Sequence, residues 1–185
     1  GIPATWNNFK NYTDLLESGI LGSSVLITFR FVLTTVLLSF AIGMTLAIIL
    51  NSNIKGARFF RSIMMTPWVV PTVISALVWI WIYQPQYGLL RYFVSLLTNG
   101  KVKEFAILNS TETALAGITI AALWKQIPLM TLLLLAGLQN VPDDIMEAAK
   151  IDGANGATRL FKITIPYMKS VIKTAVSMSI IDNFK

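Results

Sequence analysis

The sequence predicts an all-α fold, a bundle of membrane-spanning helices that forms a single domain over residues 1–185. Hydrophobic residues make up 55% of the chain and charged residues only 13%, whereas about a quarter of the residues in a soluble protein are charged. The apolar residues are gathered in uncharged runs of about 20 residues, the length at which a helix crosses about 30 Å of hydrocarbon. Segments that contain charged residues separate these runs. We therefore expect a polytopic integral membrane protein.

The first span is predicted over residues 20–50, of which residues 31–50 carry no charge. Arg30 is expected near the outer boundary or facing protein, because an unpaired arginine in lipid is costly. Small residues recur every four positions along this span, at Thr35, Ser39, Gly43 and Ala47. Such a stripe lets a second helix approach closely.

The second span is predicted over residues 62–83. It follows a basic segment without acidic residues, which contains Lys55, Arg58 and Arg61. The positive-inside rule places that segment in the cytoplasm. Pro67 and Pro71 lie four residues apart, so they share a helix face and are expected to kink or interrupt the span near its cytoplasmic end.

The remaining chain supplies two further spans, over residues 113–138 and 161–181. Residues 84–112 are polar and are expected to be external, with a short interfacial helix around Leu89–Leu97. Residues 139–162 connect the last two spans on the cytoplasmic side. None of the four spans contains an acidic residue, which disfavours a cation as a transported solute.

The cytoplasmic connection contains the segment VPDDIMEAAKIDG, which predicts a short surface helix over about Asp143 to Ile151. A proline precedes the helix, and the carboxylates of Asp143 and Asp144 lie in its first turn, near the positive end of the helix dipole. Gly153 is expected to end the helix, because glycine readily adopts the left-handed conformation found at helix C-termini.

The composition excludes several kinds of chemistry. The chain contains no cysteine and no histidine, so disulfides, thiolate metal sites and histidine general bases are ruled out. It contains no GxxxxGK[ST] phosphate loop, so we expect it neither to bind nor to hydrolyse ATP. The net charge of +6 arises from bases beside the membrane segments, which set orientation, and no nucleic-acid role is assigned. We expect no catalytic residues, no cofactor and no metal.

Residues 147–166 read EAAKIDGANGATRLFKITIP. The spacing of Glu147-Ala148-Ala149, Gly153 and the closing ITIP resembles the EAA loop of the membrane-spanning permease subunits of ABC importers, with Ile165 in place of the usual leucine. The stretch from 59 to 90 and the phrase LLAGLQNVPDDIMEAAKIDGA resemble the sugar-type permeases of the maltose and glycerol-phosphate importer group. The resemblance implies a MetI-like permease core, normally of six spans, of which the first and last are missing here.

The resemblance also implies a multi-pass protein of the plasma (inner) membrane whose surface helix docks into a cytoplasmic ATPase. In such a permease the coupling residues would be Glu147, Ala148, Ala149, Asp152, Gly153 and Ala154. Glu147 would pair with a basic group of the ATPase, the alanines would allow close approach, and Gly153 would make the turn. The implied partners are a second homologous permease, two ATPases that use the ATP, an extracytoplasmic solute-binding protein and membrane lipid. The sequence departs from the family pattern at Ala157, Leu160 and Ser170.

Candidate residues for the substrate path are Lys125, Gln126, Trp124, Trp79 and Tyr83. An ionisable group at mid-membrane depth is a functional candidate, and aromatic rings and amides suit a sugar. The alternatives are that Pro128 breaks the third span and lets Lys125 reach a wet vestibule or snorkel to the surface, and that the aromatic residues form an outer belt.

These observations predict a permease subunit that imports a sugar or related polyol by alternating access. A permease for another solute, such as an amino acid, peptide or phosphonate, is the alternative within the same class. A membrane-embedded enzyme or assembly factor is the alternative from another class, but the spans offer only hydroxyl groups and lysines for catalysis.

Overall fold

The computed structural model describes residues 9–52, 55–101 and 105–184. All regular secondary structure in these ranges is helical. The helices are α1 (Lys10–Glu17), α2 (Ile20–Asn51), α3 (Ala57–Met64), α4 (Thr66–Val69), α5 (Thr72–Ile82), α6 (Leu89–Leu97), α7 (Thr111–Gln139), α8 (Asp143–Ile151), α9 (Gly156–Arg159), a π-helical turn (Leu160–Thr164), α10 (Ile165–Tyr167) and α11 (Lys169–Asn183). The predicted all-α fold and the short helix at Leu89–Leu97 are confirmed.

The core of the fold is the pair formed by α2 and α7, which contact each other more extensively than any other pair of elements in the described ranges. Both helices are long and apolar enough to cross a membrane, over Ile20–Asn51 and Thr113–Gln139. These ranges match the first and third predicted spans to within a residue. The buried cluster between them includes Met44, Leu50, Met130, Leu134 and Leu138.

The small-residue stripe of α2 faces α7 as predicted. Thr35, Ser39 and Ala47 are completely buried, and Gly43 is buried with them. A Cβ atom added to Gly43 would lie 2.8 Å from Cγ of Met130, so the two backbones approach as closely as a glycine permits. Arg30, by contrast, is exposed on α2, and it does not face the described part of the protein.

The second predicted span is a broken helix rather than a single kinked one. The run α3–α4 and the helix α5 meet at an angle of 93°, and the helical run begins at Ala57, upstream of the predicted start at residue 62. The break follows from Pro71, which lacks an N–H group and holds the preceding residue Val70 in an extended conformation, with φ −63° and ψ 130°. The predicted interruption is thus confirmed.

Pro128 does not break the third span, so the helix break considered at this residue is wrong, whereas the alternative role of Lys125 in a wet vestibule or at the surface stays a prediction. The helix α7 continues through this residue from Thr111 to Gln139, and Pro128 is buried. Proline removes one backbone hydrogen bond from a helix, and membrane helices tolerate this loss where neighbouring groups satisfy the freed carbonyl. Lys125 therefore occupies a regular position on a continuous helix.

The segment predicted as the fourth span, residues 161–181, is helical but interrupted. The π-helical turn leads through α10 to α11, whose 15 residues correspond to about 22 Å. That length is below the roughly 30 Å of a bilayer core. Across the described ranges, two helices, or three if the bent pair counts as one span, have the length and composition to cross a membrane. A crossing at residues 161–181 stays a prediction.

Candidate coupling segment and membrane cavity

The helix predicted for the cytoplasmic connection is present with the expected bounds, Asp143–Ile151. It ends in a Schellman motif: the N–H of Ala154 donates to the carbonyl of Ala149 at 2.9 Å, and that of Gly153 donates to Lys150 at 3.1 Å. Gly153 has φ +80°, a left-handed conformation that favours glycine. The predicted turn is therefore confirmed, and it reverses the chain immediately after α8.

The two faces of α8 differ in what they contact. Ala149 is buried, and the hydroxyl of Thr164 in the π-helical turn donates to Sδ of Met146 at 3.9 Å. These contacts hold α8 against the chain itself. The opposite face is open, with Glu147 and Ala148 exposed.

The turn after α8 keeps the other predicted coupling residues at or near the surface. Asp152 and Gly153 are exposed, and Ala154 is half-buried. The side chain of Asn155 then caps α9, because its Oδ1 accepts a hydrogen bond from the N–H of Thr158 at 2.8 Å. Of the six predicted coupling residues, Ala149 faces inward and the other five are at least partly accessible to a partner.

A cavity of about 390 Å³ lies between the bent pair, α7 and α11. Its polar lining comes from all three elements and consists of Thr72, Lys125, Gln126, Ser179 and Asp182. The rest of the wall consists of Trp68 from the bent pair and of leucine, methionine, alanine and isoleucine side chains of α7 and α11. A mixed lining of this kind suits a small solute that carries both hydroxyl groups and apolar surface.

Lys125 lies between this cavity and the break in the bent pair. Its ammonium Nζ donates a hydrogen bond to the carbonyl oxygen of Val70 at 2.6 Å. Val70 is the residue at which the helix is interrupted, so its carbonyl no longer has its partner one turn further along the helix. The break removes the backbone N–H group that would donate to this carbonyl, and the ammonium group of Lys125 replaces it. Lys125 also contributes to the lining of the cavity.

Gln126 joins α7 to α11 through a pair of amide hydrogen bonds. Its Nε2 donates to Oδ1 of Asn183 at 2.8 Å, and Nδ2 of Asn183 donates back to Oε1 at 3.1 Å. The hydroxyl of Ser179 donates to the same Oε1 at 3.1 Å. These bonds occupy much of the amide's hydrogen-bonding capacity, so Gln126 fixes one wall of the cavity.

The three aromatic candidates form a cluster that does not contribute to the lining of this cavity. The rings of Trp79 and Trp124 lie 5.9 Å apart, and those of Trp79 and Tyr83 lie 5.2 Å apart. Tyr83 is buried and donates its hydroxyl proton to the carbonyl of Gly117 at 2.8 Å. The cluster therefore fastens the end of α5 to α7.

Several residues that the structure brings to the candidate site are absent from the predicted set, among them Trp68 and Thr72 of the bent pair and Ser179, Asp182 and Asn183 of α11. Ser179 and Asn183 lie one turn apart on α11 and bond Gln126, and Asp182 lines the cavity just beyond the predicted end of the fourth span. Polar residues spaced four apart in an apolar segment were the signal that could have identified Ser179 and Asn183. Asp182 also brings a carboxylate to the cavity, which weakens the argument against a cationic solute.

The sequence from residue 39 to residue 185 matches a protein family described as the binding-protein-dependent transport system inner membrane component. The chain belongs to this family. As an inner membrane component it is a multi-pass protein, and α2 and α7 have the length and composition that such crossings need.

The relatives of this inner membrane component are transport permeases by name. It is 40% identical over 173 residues to the trehalose/maltose transport system permease protein MalF of Thermococcus litoralis, covering 94% of this chain and 58% of that protein. It is 32% identical to the sn-glycerol-3-phosphate transport system permease protein UgpA of Brucella abortus, covering 91% and 56% of the two chains. The chain thus spans a little over half the length of these relatives.

Solved structures share the fold of this inner membrane component. A bacterial alginate ABC transporter, in complex with a periplasmic protein that carries an alginate pentasaccharide, aligns with a TM-score of 0.80 at 18% identity. The alignment covers 92% of this chain and 59% of that chain. The MetI-like permease fold expected from the sequence is therefore confirmed.

Proposed function

We propose that the chain is the membrane-spanning core of an ATP-driven importer that moves a sugar or related polyol across the inner membrane by alternating access. The observation that carries this proposal is the geometry of α8. Glu147 and Ala148 are exposed on a short helix that the Schellman motif at Gly153 ends abruptly. A helix fixed on one face and open on the other suits a docking element for a separate subunit.

The energy for transport is proposed to come from two cytoplasmic ATPases that dock on α8. Glu147 would pair with a basic group of the ATPase, Ala148 would allow close approach, and Asp152, Gly153 and Ala154 would form the adjoining turn. Ala149, which is buried, would instead transmit the motion of α8 to the chain. The chain itself would bind no ATP, cofactor or metal and would catalyse no reaction.

The path of the solute is proposed to run beside Lys125 and Gln126, in the cavity between the bent pair, α7 and α11. Relatives named for trehalose and maltose, for sn-glycerol 3-phosphate and for sulfoquinovosyl glycerol support a carbohydrate or polyol. The hydrogen bond from Lys125 to Val70 leaves two of the three ammonium protons for a hydroxyl or phosphate oxygen. Trp79, Trp124 and Tyr83 would support the site from outside the cavity.

The complete assembly would also contain a second permease and an extracytoplasmic solute-binding protein. We propose a topology in which residues 139–162 are cytoplasmic and residues 84–112 external. An importer of an amino acid, peptide or phosphonate is the second candidate, and Asp182 in the cavity lining is the observation that favours a solute with a cationic group.

Reconstitution tests this proposal directly. The full-length protein, its partner permease, the ATPases and the binding protein would be placed in proteoliposomes, and ATP hydrolysis would be measured as the binding protein is loaded with different solutes. We expect stimulation by a disaccharide or a glycerol phosphate. Stimulation by an amino acid alone would overturn the sugar assignment, and no stimulation by any loaded binding protein would overturn the importer assignment.

A further inference from the structure

A second cavity, of about 600 Å³, lies between the C-terminal ends of α2 and α7 and the inner side of the coupling segment. Its polar lining includes Asn51, Asp143, Lys150 and Arg159, and no residue that lines it also lines the cavity beside Lys125. The proposed transport function gives this second cavity no role.

The lining carries two cations without ionic partners. Within the described ranges, neither Lys150 nor Arg159 forms an ion pair, and the buried Nε of Arg159 has no hydrogen-bond partner. Among the described residues of the lining, Asp143 is the one carboxylate, so these residues carry an excess of positive charge. A buried guanidinium nitrogen without an acceptor is energetically costly, and an anion would remove this cost.

The nearby helix ends do not supply the missing acceptors. At the end of α2, the carbonyl of Leu50 accepts a hydrogen bond from Nη2 of Arg61 at 3.0 Å, and that of Ile49 accepts one from the N–H of Ser52 at 3.2 Å. At the end of α7, the carbonyl of Leu138 accepts from the N–H of Val141 at 3.3 Å. These carbonyls are satisfied without Lys150 or Arg159.

The cavity also has an apolar wall, formed by Ile48 from α2, Leu138 from α7 and Leu160 from the π-helical turn. Basic pockets between membrane helices on the cytoplasmic side are suited to anionic lipid headgroups. The planar guanidinium of arginine matches two oxygens of one phosphate. From this combination we infer that the cavity binds a phosphate group, held by Arg159 and Lys150.

Two sources can supply this phosphate, the headgroup of an anionic phospholipid and free phosphate. The apolar wall fits the glycerol and upper acyl region of the lipid. Because Met146 and Lys150 of α8 line the same cavity, an occupied site fixes the inner side of the coupling helix. The composition of the inner leaflet, or the phosphate concentration, would then modulate how firmly α8 is held.

The test measures binding on the full-length protein with its partner subunits, and it does not depend on transport. Short-chain phosphatidylglycerol, short-chain phosphatidylcholine and inorganic phosphate would each be titrated and followed by native mass spectrometry and by the shift in Tm. We expect the double variant Lys150→Gln/Arg159→Gln to weaken phosphatidylglycerol or phosphate binding about tenfold or more, since it removes hydrogen bonds to a charged group. If the double variant loses binding of phosphatidylglycerol, the natural ligand is the lipid headgroup. If it loses binding of inorganic phosphate alone, the natural ligand is free phosphate.

A matched control is the double variant Lys55→Gln/Lys162→Gln, which removes the same charge from exposed positions outside the cavity. It should bind as the unmodified protein does.

Lys150→Arg/Arg159→Lys keeps both charges and should restore most of the binding, which separates loss of the site from loss of folding. Equal binding of both phosphatidylglycerol and phosphate by the unmodified protein and the Gln variant would overturn the inference.

Discussion

The ammonium group of Lys125 on α7 donates a hydrogen bond to the carbonyl oxygen of Val70, 55 residues away in sequence, at 2.6 Å. Val70 lies at the break where α3–α4 and α5 meet at 93°. One charged side chain therefore satisfies the backbone of a broken helix and also borders the cavity proposed for the solute. Because Lys125 contacts both the break and the cavity, substitutions of this residue test the stability of the broken helix and the path of the solute.

Lys125→Met keeps a long apolar side chain and removes the donor. The carbonyl of Val70 is then left without a partner, and we expect the free energy of unfolding to fall by about 1–3 kcal/mol. The stability of the full-length protein in detergent, measured by thermal unfolding, checks this change. Lys125→Arg retains a donor and should lose less.

The transport rate of the same variant distinguishes the two roles of Lys125. If the ammonium contacts the solute, Lys125→Met should reduce import of a phosphate-bearing solute much more than import of a neutral sugar. An equal loss for both solutes would mean that the residue acts through Val70 alone.

Gly43→Ala places a methyl group where α2 and α7 are in contact. The added Cβ would lie 2.8 Å from Cγ of Met130 and 3.3 Å from the backbone nitrogen of Thr131. The methionine can shift but the backbone cannot, so we expect a loss of stability of about 1–3 kcal/mol. Gly22→Ala on the same helix is the control, because nothing lies within 4 Å of its added Cβ. That control should be neutral or more stable by up to about 1 kcal/mol, since alanine favours a helix over glycine.

Gly153→Val should disrupt coupling through the backbone rather than through a side-chain contact. A valine at φ +80° is strained by about 1 kcal/mol or more, although space around the position is open. We expect the variant to insert into the membrane, bind the solute-binding protein and fail to transport. Gly156→Ala, three residues on and equally open, should transport normally. Normal transport by Gly153→Val would show that the Schellman turn is not needed.

Glu147→Lys tests the exposed face of the same helix. Because Glu147 is exposed, the change should leave the folded chain intact while repelling a basic group on the ATPase. Co-purification of the ATPases should fall together with transport. Glu17→Lys, exposed on α1, is the comparison for a general effect of charge, and an equal loss with both variants would contradict a specific pairing of Glu147.

The chain contains no cysteine, which makes its topology directly measurable. Single cysteines at Gly56 and Asn155 should react with a membrane-impermeant thiol reagent only after the cytoplasmic side is opened. A cysteine at Asn99, which is exposed after α6, should react in intact cells. Labelling of the first two positions from outside would reverse the proposed orientation.

Local signals explain why the coupling helix was predicted with accurate bounds. The bounds of α8 depend on residues within a few positions of each helix end. A proline precedes the first turn, two aspartates lie within it, and a glycine follows the last turn. Each of these residues favours a helix end through its own chemistry. The small-residue stripe of α2 was predictable for a related reason, since its spacing depends only on the helical period.

Non-local contacts explain what the sequence analysis missed. A proline within an apolar segment indicates a helix break, yet Pro128 lies in a continuous and buried part of α7, because packing outweighs the loss of one hydrogen bond. The break itself is local, but the donor that satisfies the carbonyl of Val70 comes from Lys125 on another helix, and no local pattern indicates that pairing. The amide bonds between Gln126 and Asn183 join residues 57 positions apart, and a single sequence gives no evidence of that pairing.

The contact at Gly43 has a mechanical consequence. A slip of one residue turns a helix by about 100°, and it would bring the bulky side chain of Met44 to the position where only a glycine fits against Met130. This contact opposes sliding and rolling of α2 against α7, so we expect the two helices to move as one unit. Leu50 and Leu138 belong to the buried cluster near the C-terminal ends of both helices, and we expect a tilt imposed at these ends to reach the opposite ends of both helices.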